Sequence, residues 1–304
     1  MRVVYYSLIT SHVGTCEHQW KQSIRSLRQH NSRIAVHLFV FNGAPDSILR
    51  EADRCAVEVH QLGGYAEYLD SLFVRGSLLA QYPTFSKFLG PRHSQARLAS
   101  QLLYIDCDTY FFGDVEYLFE RYSAFDWCAR EEPTSRLSRV PRDPAHLDEA
   151  LLDDMVRAQG LQPVFPFNAG LCLMNRAAWS RLNELCITYL DLAWRLLVGR
   201  QTAIPAPSGW ELEIWNAVMS ELTEWDRSRA LPYPSSNHWI IDEIALWLSL
   251  GHIPWLSQGL LAPEDVAQGD EFEDSLRSGR RSVAAHYFNS METAFFDAVG
   301  LIGP

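Results

Sequence analysis

The sequence lacks the features that mark several large classes of protein. It has no CxxC pair: Cys16, Cys55, Cys107, Cys128, Cys172 and Cys186 are scattered, so neither a cysteine-rich zinc site nor a dense disulfide framework is indicated. Reduced thiols in a cytoplasmic protein are the expectation. No apolar run of about 18 residues occurs, so no transmembrane segment is expected. The opening MRVVYYSLITSHVG meets Thr, Ser and His too soon for a secretory leader, and reads as a first strand. Clustered positive charge is missing as well. A formal net charge of -11 and a pI near 5.4 argue against a broad nucleic-acid footprint. Arg277, Arg280 and Arg281 form a small basic group able to touch anionic lipid at a membrane surface, although a solvated loop is the preferred reading. There is no internal repeat and no low-complexity tract.

What remains has globular proportions: 304 residues, 47% hydrophobic and 21% charged, enough for a substantial core. VVYYSLI and IAVHLFVFN are β-branched and aromatic runs, and between them Trp20, Ile24 and Leu27 recur at helical spacing. A weaker strand, AVEVHQL, leads into Gly63-Gly64, and a polar helical segment then approaches QLLYIDCD. This alternation predicts an α/β sheet with parallel strands, whose ligands sit beyond the strands' carboxyl ends. Residues 129–163, polar and rich in Pro and Arg, read as a mobile excursion. Nine of the ten tryptophans lie at or after Trp127. Trp210, Ile214, Trp215, Val218, Leu222 and Trp225 share one helical face, suited to core packing or to a sugar-stacking groove.

At the end of the apolar run Leu102-Ile105 stand two like charges, Asp106 and Asp108. Extended geometry would send both side chains to one face. Their repulsion is relieved by a hard divalent cation such as Mn2+ or Mg2+ held against a diphosphate; capping of the following turn is the plainer alternative. A phosphatase of the haloacid dehalogenase class needs D-x-D-x-T near the N-terminus, whereas Thr109 follows Asp108 directly and Tyr110 occupies the required position. Three further stretches add chemistry. FPFNAGLCLMNR puts Asn168, Ala169 and Gly170 before an apolar strand, where small residues admit a ligand to the backbone. NHWIIDEIALWLSLG carries Asp242 and Glu243 into an apolar helix, where favourable interaction with the helix dipole is the alternative role. VAAHYFNS ends a short strand at His286, a nitrogen ligand for the same metal or a structural histidine.

Together these blocks resemble GT-A-fold glycosyltransferases, within them the retaining family that includes glycogenin and bacterial lipopolysaccharide galactosyl- and glucosyltransferases. LLYIDCDTYFFGDVEYLF is similar to that family's metal-binding block, FNAGLCLMN matches its second block almost residue for residue, and DEIALW stands where the family has Asp-Gln-Asp-apolar-Leu-Asn. Glu243, Ile244 and Trp247 depart from that last pattern. After His286 the family's Gly and Lys-Pro-Trp are replaced by YFNSMETAFF, so either another cation helps with the diphosphate or the metal suffices. Lys87 lies where the family has Arg or Lys upstream of the metal block, with Arg92 and Arg97 nearby alternatives; a solvated helical face is the other reading for all three.

The resemblance implies a Rossmann-like, mixed but mostly parallel sheet in a single catalytic domain over 1–290. Within it, 1–115 would bind the nucleotide-sugar and 116–290 would face the acceptor, leaving 291–304 as a tail. It implies a metal bound by Asp106, Asp108 and His286, donor contacts from Thr10, Lys87, Asp106, Cys107, Asp108, Asn168, Ala169, Gly170 and Asn289, and Asp242 and Glu243 at the reacting sugar. Metal-dependent transfer from a UDP-sugar to an acceptor, with retention of configuration, is the expected activity. A sugar-1-phosphate nucleotidyltransferase is disfavoured because LITSHVGTCEHQW offers only Gly14 in place of a Gly-rich loop. A nucleotide-sugar-binding scaffold without turnover is the third expectation, suggested by the missing Lys and the altered DEIALW.

Overall fold

The computed structural model describes residues 1–10, 15–72, 83–131, 137–138, 147–148, 156–157, 160–161, 167–199, 241–268 and 282–286. The tryptophan-rich stretch, Arg277, Arg280, Arg281, Asn289 and most of the expected 129–163 excursion lie outside these residues.

The architecture is mixed α/β. Strands β1 (Arg2–Ile9), β2 (Ala35–Phe41), β3 (Glu58–Gln61), β4 (Gln101–Ile105), β6 (Trp127–Glu131), β9 (Phe167–Asn175) and β10 (Gln258–Leu261) form one sheet in the order β10-β6-β9-β4-β1-β2-β3. All pairings are parallel except those of β9, which runs antiparallel to both β4 and β6. A smaller sheet, β11-β12-β5, is built from β5 (Thr109–Phe111), β11 (Val266–Gln268) and β12 (Ala284–His286). Two-residue strands β7 (Leu137–Ser138) and β8 (Leu147–Asp148) pair with each other.

Central strands read as continuous apolar runs because both faces of the sheet are covered. In β1, Val3 and Tyr5 enter one core while Val4, Tyr6 and Leu8 enter the other, the period-two alternation of a strand. The second core is closed by helices α1 (Thr15–His30), α2 (Asp46–Arg54) and α5 (Glu116–Arg121), through Trp20, Ile24, Leu27, Ile48, Leu118 and Phe119. The first is closed by α3 (Tyr65–Leu72), α4 (Ser86–Leu89), α6 (Arg176–Gly199) and α7 (Ile241–Gly251). Among the described residues no helix is long and apolar enough to cross a membrane.

Two local expectations are corrected. Asn168-Ala169-Gly170 does not precede the strand but lies within β9, because Asn168 pairs across to Arg130 at a bulge in the β6 register. Asp106 to Asp108 is not extended: the Thr109 N–H donates to the Asp106 carbonyl at 3.2 Å, so the chain turns after β4 and re-enters as β5.

The short 3-10 turns after α4 pass very close to the sheet. A Cβ on Gly90 would lie 2.4 Å from Phe39 Cγ, and Phe39 is held between Tyr5 and His60 by ring contacts at 6.1 and 4.7 Å. Gly90→Ala is therefore expected to cost about 1–3 kcal/mol by overpacking, read as a lower denaturation midpoint in urea with an unchanged slope.

Candidate metal centre

The site begins where β4 runs out of apolar residues. Asp106 is anchored by its own N–H, which donates to the Gly170 carbonyl at 2.7 Å, and by the Tyr104 hydroxyl, which donates to Asp106 Oδ1. Asp108 follows in the turn and is 8% exposed. His286 arrives from the far end of the described chain: β12 pairs antiparallel with β5, matching His286 to Thr109. This register sets the imidazole beside both carboxylates, with Nε2 at 3.2 Å from Asp108 Oδ1 and 3.6 Å from Asp106 Oδ2. One donor atom from each of the three residues falls within 4.8 Å of the others.

The fit of His286 depends on a missing side chain. A Cβ on Gly170 would stand 2.1 Å from His286 Cε1 and 2.4 Å from Nε2. The small residue in β9 thus makes room for the ring, where the sequence suggests room for a ligand. Burial lowers the proton affinity of the imidazole, but the neighbouring Asp108 carboxylate, its hydrogen bond and the Asp106 charge together raise it above the ordinary 6.5.

Behind the turn lies a buried ion pair. Lys87, on α4, is 3% exposed, and its Nζ meets Asp242 Oδ2 at 2.6 Å, donates to the Ala169 carbonyl at 3.3 Å and sits 4.9 Å from the centre of the Tyr104 ring. Burial pulls its pKa down, yet the Asp106 and Asp242 charges outweigh this and hold it above its ordinary value. The ammonium thus stays charged at neutral pH. At the start of α7, Glu243 Oε1 accepts the Ala169 N–H at 3.1 Å and the Asn168 amide at 3.5 Å, and the Gly170 N–H donates to Asn168 Oδ1 at 2.9 Å. Asp242 and Glu243 are thereby joined to the β9 block through different atoms.

Asp106, Asp108, Lys87, Asn168, Ala169, Gly170, Asp242, Glu243 and His286 are thus brought together. Cys107 turns the other way and packs against the second core. The Thr10 hydroxyl lies against the end of β2, within 2.9–3.2 Å of the carbonyls of Phe41, Asn42 and Gly43. Asn289 and the side chain of Arg97 lie outside the described residues. Arg92 is half-buried near Tyr68. Sequence reasoning passes over Tyr104 and Arg130. Tyr104 could have been found from period two, since it points to the face that Asp106 faces; Arg130 is buried opposite Asn168, and only the bulged register reveals that.

No protein-family model and no curated protein sequence matches the chain. Among solved structures it is similar to mouse xyloside xylosyltransferase 1 in its apo form, with a TM-score of 0.44 and 12% identity over 94% of this chain and 96% of that one. A likeness of that degree assigns neither family nor activity, and what the site can do follows from its own donor atoms.

Gly170→Ala removes no ligand, yet it should displace His286; Mn2+ affinity by calorimetry is expected to fall while Asp106 and Asp108 remain. His286 also links site and stability. Its folded-state pKa is raised, so in metal-free protein its contribution is fully present below the ordinary 6.5 and is lost as pH rises through the folded value. In chelator, the melting temperature of His286→Gln should lie below wild type in acid, and the gap should narrow as pH rises.

Proposed function

We propose that the chain is a GT-A-type glycosyltransferase that transfers a sugar from a nucleoside-diphosphate sugar, with UDP as the expected nucleotide, to an acceptor in a metal-dependent reaction. The observation that carries this reading is an imbalance of charge. Four carboxyl groups, Asp106, Asp108, Asp242 and Glu243, surround one buried ammonium, Lys87, and one imidazole, His286. Lys87 answers Asp242, and the Asn168 amide and Ala169 N–H donate to Glu243, which leaves the Asp106–Asp108 pair to be balanced by a cation. Two carboxylate oxygens and an imidazole nitrogen suit Mn2+, or Mg2+ with more reliance on water and phosphate oxygens.

Asp106, Asp108 and His286 would hold the ion, and bound there it would act as a Lewis acid on the departing diphosphate. Tyr104 orients Asp106, and Gly170 leaves the space that orients His286. Lys87, fixed by Asp242, supplies a second positive charge behind the turn, as the position of the family's upstream cation suggests. Asp242 and Glu243 are assigned to the sugar, Asp242 to its hydroxyls and Glu243 near the anomeric carbon, with retention of configuration following the sequence resemblance.

Titration of UDP into the protein should give Mn2+-dependent binding that Asp108→Ala reduces by at least tenfold, the order of one lost charge-assisted contact. Metal-independent binding unaffected by Asp108→Ala overturns the reading. Slow hydrolysis of a UDP-sugar without acceptor separates an enzyme from a binding scaffold, a second reading favoured by the engagement of Lys87 with Asp242. Pyrophosphate release from UTP and a sugar phosphate would instead indicate nucleotidyl transfer.

A further inference from the structure

Among the described residues a second group of side chains has metal-ligand geometry, on the sheet edge. His37 in β2 pairs with Glu58 in β3, and Phe39 pairs with His60, so His37, Glu58 and His60 share one face of adjacent strands. His37 Nδ1 lies 2.8 Å from His60 Nε2, 3.6 Å separates His37 Nδ1 from Glu58 Oε2, and 3.4 Å separates His60 Nε2 from Glu58 Oε1. In a tetrahedral site with bonds of roughly 2.0–2.1 Å, ligand atoms stand about 3.3 Å apart. Two of the three edges are close to that, and the third must open by about half an ångström.

The two rings are within 10° of parallel planes and hydrogen-bonded through these nitrogens, so at most one of the two atoms carries a proton. Phe39 stacks 4.7 Å from His60 and 6.4 Å from His37, which fixes both rings. His37 is buried while the Glu58 side chain is 60% exposed, giving an ion a fixed nitrogen pair and an open approach from solvent. Burial lowers the pKa of both histidines despite Glu58.

We propose that His37, Glu58 and His60 form a second metal site that takes a borderline transition ion of the zinc class and clips edge strand β3 to β2. Binding replaces the N–H···N bond: the donor imidazole moves its proton to its other ring nitrogen, both rings stay neutral, and the metal takes the two lone pairs. The donor set differs from that of Asp106, Asp108 and His286. Two imidazoles with one carboxylate favour Zn2+, whereas two carboxylates with one imidazole favour a harder ion.

The site is tested by Zn2+ calorimetry on full-length protein carrying Asp108→Ala, which removes a ligand of the other centre. One Zn2+ site is expected to remain, to raise the melting temperature, and to weaken at least roughly tenfold on adding either His60→Ala or Glu58→Gln, since even loss of a ligand's supporting contact costs that much. Circular dichroism checks that each variant is folded; Glu58→Gln, at an exposed position, serves if His60→Ala is not. No Zn2+ binding in Asp108→Ala, or binding that both added substitutions leave unchanged, overturns the proposal. Neither outcome depends on whether UDP binds, so failure here is distinguishable from failure of the glycosyltransferase reading.

Discussion

The structure depends on compensating four carboxyl groups gathered at one end of the sheet, of which Asp108, Asp242 and Glu243 are buried. A charge removed from water must be compensated locally or it titrates away, and at the end of β4 the compensation is distributed. Tyr104 donates to Asp106, Lys87 pairs with Asp242, backbone and side-chain N–H groups of the β9 block donate to Glu243, and His286 stands between Asp106 and Asp108. Removing Lys87 would leave Asp242 as an uncompensated buried charge. Lys21 and Lys87 are the chain's only lysines, so the buried ammonium is not drawn from a lysine-rich surface; its compact charge suits a position bounded by a carboxylate, a carbonyl and an aromatic face.

Sheet topology supplies the convergence. Within the main sheet β9 runs antiparallel to both of its neighbours, β4 and β6, which brings the start of one strand beside the end of another. Asn168-Ala169-Gly170 thus lies next to the Asp106 turn, and the Gly170 carbonyl receives the Asp106 N–H. The small sheet completes the arrangement from the opposite side by returning His286 to Thr109. Helix α7 starts at the same place and presents Asp242 and Glu243 in its first turn.

Much of this was legible in the sequence because the central strands are buried on both faces and their apolar runs are continuous. The acidic pair, the Asn-Ala-Gly block, the acidic helix start and the terminal histidine were visible as residue types in order. Other features depended on distance and register. The burial of Lys87 follows from a partner at position 242, and local spacing does not encode it. The role of Gly170 as space for His286 appears only when β12 is in place. AVEVHQL reads as a weak strand because His60 and Glu58 are polar, and their relation to His37 is a matter of strand register, which one sequence does not display.

His286 has one more consequence, for the order of folding. Its contact with Asp108 joins positions 108 and 286, and contacts so distant in sequence require closure of a large loop before they contribute any stabilisation. The pocket beside Gly170 can be filled only after β4, β9 and β12 have met in register. Partially folded chains can therefore hold the central sheet and still lack the assembled Asp106, Asp108 and His286 group, and on the proposed reading tight metal affinity would be a marker that appears only when the molecule has finished folding.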